Sequence, residues 1–169
     1  NTFLIPHAVN IELFGKAMDP SLAIPPDLAR CPKPVFGHVG VLNVRIDIEL
    51  IQELARMMPK ASFVFVGPVI EVNAEYRAQL ELLKKFKNVF FLGDKKEEEL
   101  PAYLKGIDVC MVPYVRNEFT KYIKANAKFF QFVASGRPVV STIGPADFDD
   151  DIVITATAPG QFAEALLKA

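Results

Sequence analysis

Residues 126–142 read Asn-Ala-Lys-Phe-Phe-Gln-Phe-Val-Ala-Ser-Gly-Arg-Pro-Val-Val-Ser-Thr: a polar start, an apolar helical stretch, a glycine stop and a short buried strand. Asn126 is a good N-cap, because its short side chain can accept from the free N–H groups of a first helical turn. Residues 127–135 carry the helical pattern, Gly136 can take the left-handed conformation that ends a helix, and Pro138 forbids continuation. The first turn presents unpaired N–H groups and the positive end of the helix dipole, with Lys121, Lys124 and Lys128 close in sequence. The stretch therefore predicts a phosphate-sized anion site beside a sheet, into which a diphosphate fits electrostatically.

Outward from this stretch, apolar runs alternate with helical spacings. Runs at 35–42, 62–66, 88–92, 108–113, 138–141 and 151–155 read as strands, and 47–58, 74–86, 97–105, 127–135 and 159–167 read as helices. Strands apolar on both faces and separated by helices predict an α/β fold, a Rossmann-like parallel sheet with helices on both faces. Residues 1–34 carry Pro6, Pro20, Pro25, Pro26, Pro32 and Pro34, which predict a connector and interdomain segment with little regular structure. The Rossmann-like domain then runs over 35–169.

In such sheets ligands lie at the carboxyl ends of the strands, here 40–45, 67–69, 93–95, 114–120 and 142–145. Three of these five segments begin with glycine, namely Gly40, Gly67 and Gly93. Glycine there lets a backbone approach a ligand, and equally serves a tight turn.

Composition narrows the class. With 169 residues and 51% apolar content, the chain suits one domain that hides roughly 70% of its unfolded surface. A net charge of −1, from 19 basic and 20 acidic side chains, argues against a nucleic-acid partner held by counterion release. No apolar run approaches the roughly 18 residues of a bilayer span, so a chain that is not transmembrane and sits in the cytoplasm is expected, with peripheral membrane contact left to the full protein. Cys31 and Cys110 read as reduced thiols rather than a disulfide or zinc site. Asp147, Asp149, Asp150 and Asp151 lack the spacing of a calcium loop, so no metal and no cofactor are expected.

The 126–142 stretch resembles the pattern Asn-Pro-x-Lys-x-x-Glu-Tyr-x-Ala-x-Gly-Lys-Pro-Val-Val of glycosyltransferases of the GT-B fold, group 1 type. Ala127 stands where that family often has proline, Arg137 replaces a lysine, and Gln131 takes the slot of the glutamate that usually holds the ribose. Ile-Pro-His-Ala-Val-Asn at 5–10 is similar to the Ile-Pro-Asn-Gly-Val-Asp that opens the second half of such enzymes. The resemblance implies one half of a two-domain GT-B architecture, the carboxyl-terminal domain that binds a nucleoside-diphosphate sugar. The chain starts at Asn1 rather than methionine, which fits an excised domain whose amino-terminal acceptor half is missing.

The same resemblance assigns candidate donor contacts. Lys128 would meet phosphate and Gln131 the ribose hydroxyls, through a neutral acceptor about half as strong as a carboxylate; both also suit a solvated helix surface. Tyr114, Arg116, Asn117, Glu118 and Thr120 resemble the family's Pro-Phe-x-x-Asn-x-Leu-Thr loop, which borders donor sugar and phosphates, while an ordinary polar loop has the same composition. The opening loop at 37–47 offers Arg45 alone where many relatives carry an arginine and a lysine for the diphosphate; Asp47 reads as a helix cap and His38 as a packed core histidine. The 93–104 segment resembles the family's base-binding loop, and its acidic run suits a helix start. The implied activity is transfer of a sugar in polysaccharide or glycoconjugate synthesis, silent in this domain alone. A degenerate GT-B domain kept as an interaction module, and half of a sugar-nucleotide epimerase, are the alternatives.

Overall fold

The computed structural model describes residues 8–70, 73–120, 127–144, 148–149 and 151–169. Six apolar runs become six strands: β1 (Val35–Val39), β2 (Ser62–Val66), β3 (Val89–Gly93), β4 (Val109–Val112), β5 (Val139–Ser141) and β6 (Val153–Thr155). All pair in parallel in the order β3-β2-β1-β4-β5-β6. Burial follows that order. Every residue of β1, β2, β4 and β5 is buried, whereas the edge strands β3 and β6 are partly open. Continuous apolar runs without alternation are what strands covered on both faces require.

The register aligns aromatic residues across neighbouring strands. Phe36 pairs with Phe63, their rings 5.7 Å apart, and Phe65 pairs with Phe91, their rings stacked at 5.3 Å. The chain moves outward from β1 to β3 and then crosses back to β4. Right-handed crossovers thus send helices to opposite faces of the sheet in the two halves. Helices α3 (Ile48–Met57), α4 (Ala74–Leu83) and α7 (Pro159–Lys168) cover one face, with α3 touching both others. Helices α5 (Leu100–Gly106) and α6 (Ala127–Ala134) cover the other. The reversal falls between β1 and β4, and this switch point is where the fold opens a crevice for ligands.

Local chemistry sets the helix ends. Asp47 caps α3 by accepting from Leu50 N at 2.9 Å, and Asn73 caps α4 by accepting from Tyr76 N at 2.8 Å. Gly136, at φ 70°, terminates α6 as its sequence predicts, with its N–H donating to Val133 O at 3.0 Å. The expected strand at 35–42 ends at Val39, where Gly40, at φ 131°, interrupts the regular ladder, although Leu42 still bridges Val69 in parallel.

The amino-terminal segment differs from the expectation of little regular structure. It forms α1 (Ile11–Gly15), a 3-10 turn (Lys16–Met18) and α2 (Pro26–Ala29). Prolines keep these elements short, but Pro26 occupies a first helical turn, where the missing N–H has no partner to lose. Asn10 caps α1 by accepting from Leu13 N at 3.0 Å. Phe14, Ala17, Leu28 and Cys31 are buried in the same core as the strands. Lys105 of α5 fastens the segment by donating to the carbonyls of Asp19, Pro20 and Leu22 at 2.6, 2.8 and 2.6 Å.

Candidate functional site

At the carboxyl ends of β1 and β4, two connecting loops are stitched together. Asp47 N donates to Pro113 O at 2.8 Å, Val115 N donates to Arg45 O at 2.8 Å, and Ile46 and Tyr114 form an antiparallel bridge. This pairing carries Arg45 to the Tyr114 ring, 5.9 Å from guanidinium carbon to centroid. Arg45 is also held by Asn43, whose Oδ1 accepts from its Nε at 3.2 Å. Tyr114 is buried, and its backbone exchanges two bonds with the Thr142 hydroxyl, at 2.8 Å from N and 2.6 Å to O.

Lys128, on the first turn of α6, reaches into the same place. Its Nζ lies 2.8 Å from His38 Nε2 and 5.9 Å from the centroid of the Tyr114 ring. His38 is wholly buried, and its Nδ1 lies 2.9 Å from Met111 O. Burial, with the Arg45 charge added, brings the Lys128 ammonium down to about 7. Burial, reinforced by the Lys128 charge, holds His38 well below the usual imidazole range. Two cations and a neutral ring thus converge at the switch point, an arrangement suited to a polyanion.

Glycines create the room. A Cβ on Gly40 would lie 2.3 Å from Lys128 Nζ, so only a bare backbone lets the ammonium settle there. Gly67, at φ 138°, would place its Cβ 2.3 Å from Gly40 O, so it lets the two loops lie in contact. Gly93 is different: at φ 75° a Cβ there meets nothing within 4 Å, and the residue serves a turn.

The loop of residues 114–120 is shaped by its own side chains. Asn117 Oδ1 accepts from Phe119 N at 3.0 Å and Thr120 N at 2.9 Å. The buried Thr120 hydroxyl donates to Val115 O at 2.5 Å and accepts from Asn117 N at 2.9 Å. Side chains at these two positions build the loop, and both residues also line the cleft beside it. That cleft, of about 520 Å³, is lined among others by Arg116, Asn117, Glu118, Thr120, Thr142 and Thr155.

Gly40, Arg45, Gly67, Tyr114 and Lys128 come together. Gln131 lies half-buried on α6 one turn beyond Lys128, its carbonyl accepting from Ser135 N at 3.1 Å. Asn126, Lys121 and Lys124 lie outside the described residues, as do Asp147 and Asp150 of the acidic cluster. Among the described residues no group of three or more His, Cys, Asp or Glu is placed to hold a metal, and no helix is long and apolar enough to cross a membrane. Asp47 is a cap, and His38 is a core histidine that also holds Lys128. Sequence reasoning missed that second role, and it left out Thr155 and Thr157 of the cleft, because the end of the expected 151–155 strand was not counted among the strand ends.

A parallel sheet in this order, with basic and glycine residues gathered at its switch point, defines a Rossmann-like α/β class. The model of the glycosyl transferases group 1 family matches residues 33–169, and the chain belongs to that family. It is 33% identical over 112 residues, 66% of this chain and 27% of the relative, to TuaH of Bacillus subtilis (strain 168), whose name assigns it to teichuronic acid biosynthesis as a glycosyltransferase. Sucrose-phosphate synthase from Thermosynechococcus elongatus shares the fold at a TM-score of 0.71 and 22% identity, over 98% of this chain and 42% of that one. Anabaena HepE, solved with UDP and glucose, does so at 0.62 and 18%, over 95% and 45%. The chain thus spans about a quarter of TuaH and less than half of these two structures.

Proposed function

We propose that this chain binds the diphosphate of a nucleoside-diphosphate sugar in the crevice between β1 and β4. As part of a longer protein, it would serve a transferase that moves the sugar to an acceptor in polysaccharide or glycoconjugate synthesis. The observation that carries this reading is Lys128 Nζ lodged at the switch point between His38, the Tyr114 ring and the bare backbone of Gly40. Arg45, also 5.9 Å from the Tyr114 ring, adds a second positive charge nearby. In transfer, the bond between the sugar's anomeric carbon and the phosphate oxygen breaks while the acceptor oxygen bonds that carbon and gives up its proton. Negative charge grows on the departing diphosphate, and fixed cations stabilise it more there than in the ground state. Those cations perform this task with no metal or cofactor in the scheme.

The amino-terminal acceptor half is the partner this reading requires. TuaH supports a polysaccharide product, and HepE supports a UDP-type donor. The buried thiols of Cys31 and Cys110 support a cytoplasmic location. Calorimetric titration with UDP, GDP and ADP, with and without magnesium, tests the site. Saturable binding of one of them without magnesium is the expected result; a folded chain that binds none overturns the reading.

A further inference from the structure

We propose that His38 is a positioning residue for diphosphate binding: its ring fixes the direction and depth of the Lys128 ammonium at the carboxyl end of the seam between β1 and β4. The inference rests on the reading of that crevice as a nucleoside-diphosphate site and adds to it the device that aims its lysine.

The chemistry follows from which atoms can donate. Met111 O, 2.9 Å from Nδ1, only accepts, so Nδ1 carries the ring proton. Nε2 is then an acceptor facing Lys128 Nζ at 2.8 Å, and the ammonium donates to it. The ring cannot easily turn away. It is wholly buried between Phe65 and Tyr114, with centroids at 6.4 and 6.3 Å. Gly40 leaves the space in which the ammonium meets it.

The acceptor's neutrality matters as much as its position. A carboxylate at this place would hold the lysine but cancel its charge, whereas an imidazole holds it without adding an opposing charge. Among the described residues, the titratable or charged groups facing Lys128 are His38 from β1, Arg45 from the loop after β1, and Tyr114 after β4. Burial and Arg45 bring Lys128 down to about 7, while burial keeps His38 neutral through the same range. A bound diphosphate favours the charged lysine and raises its pKa, so binding above neutral pH takes up a proton. Affinity should therefore fall as pH climbs from about 7 toward the ordinary lysine value of about 10.

Calorimetric titration of the full chain with UDP across that pH range, in wild type, His38→Asn, His38→Gln and Lys128→Arg, tests the assignment. Asparagine keeps a donor near Nδ1 for Met111 O but gives Lys128 no acceptor; glutamine restores an acceptor near Nε2. We expect His38→Asn to weaken UDP binding about tenfold, the scale of one charge-assisted hydrogen bond, and to move the pH midpoint downward. His38→Gln should recover most of both, and Lys128→Arg should flatten the pH profile. Wild-type affinity and midpoint in a His38→Asn chain of native circular dichroism would overturn the positioning role and leave the site standing. No binding of UDP, GDP or ADP by folded wild type would remove the site and this role together. Independently of any variant, the nitrogen NMR spectrum of His38 should show Nδ1 protonated and Nε2 bare, and the opposite tautomer would sink the proposal.

Discussion

Lys33 and Lys128 meet the seam between β1 and β4 from opposite ends, and they are treated in opposite ways. At the amino end, Lys33 stays half in solvent, reaches Asp108 at 2.6 Å and donates to Gly106 O at 2.8 Å. Asp108 also accepts from Val35 N at 2.7 Å, so the pair staples the start of β1 to the start of β4. At the carboxyl end, Lys128 is set against a neutral ring in a glycine-lined space. The partner distinguishes the two tasks. A carboxylate adds a charge opposite to that of the lysine it holds, whereas a neutral imidazole holds a lysine and adds none.

The largest effect should come from removing the space at the carboxyl end. Gly67→Ala forces a Cβ against the Gly40 carbonyl at a positive φ, and we expect a loss of about 3 kcal/mol in urea unfolding, combining strain and backbone displacement. A loss under about 1 kcal/mol would mean the two loops need not touch.

The two lysines should then separate cleanly on ligand affinity. Lys128→Ala should weaken UDP binding by about 1 to 3 kcal/mol by calorimetry, while Lys33→Ala should leave it unchanged. Equal losses would break the contrast. Protonation sharpens it. Lys128 is pushed below its unfolded value, so the unfolded chain binds the extra proton between about 7 and about 10. Stability therefore rises with pH over that window in the wild type, and the slope should be shallower in Lys128→Met when denaturation midpoints are compared. Identical slopes would show that Lys128 titrates as an exposed lysine.

The smallest effect belongs to the amino end. Lys33→Ala removes an ion pair more than a third exposed on both sides, and should cost about 0 to 1 kcal/mol in thermal unfolding, chiefly through the lost bond to Gly106 O. A larger cost would show that the staple is as tightly coupled to the core as the crevice.

How legible these features are in sequence depends on how local their causes are. Strands such as Ser62–Val66 announce themselves because burial on both faces leaves only apolar residues, and the Asp47 and Gly136 ends of α3 and α6 follow from caps a few residues long. Helices of four and five residues at Pro26–Ala29 and Ile11–Gly15 are too short to show a period, and they persist through contacts with α5 and α6. At the site, Gly40, Gly67, Arg45 and Tyr114 are reached by the rule of strand ends and by family resemblance. The bond from His38 to Lys128 joins positions 90 residues apart, and no local pattern encodes it. Asn117 and Thr120 show a related gap: residue type says that they bond, and only the folded loop says that they bond to one another.

The docking of residues 8–34 bears on how this domain could be moved between proteins. Leu28 presses so closely on Gly106 that a single added carbon there would meet it at 2.4 Å, and Lys105 grips three carbonyls of the same segment. A chimera spliced just before the first strand would strip α5 of its cover and open the hydrophobic interior. A junction upstream of Asn10 would carry that cover along, so the natural unit of exchange is longer than the sheet and its crossover helices.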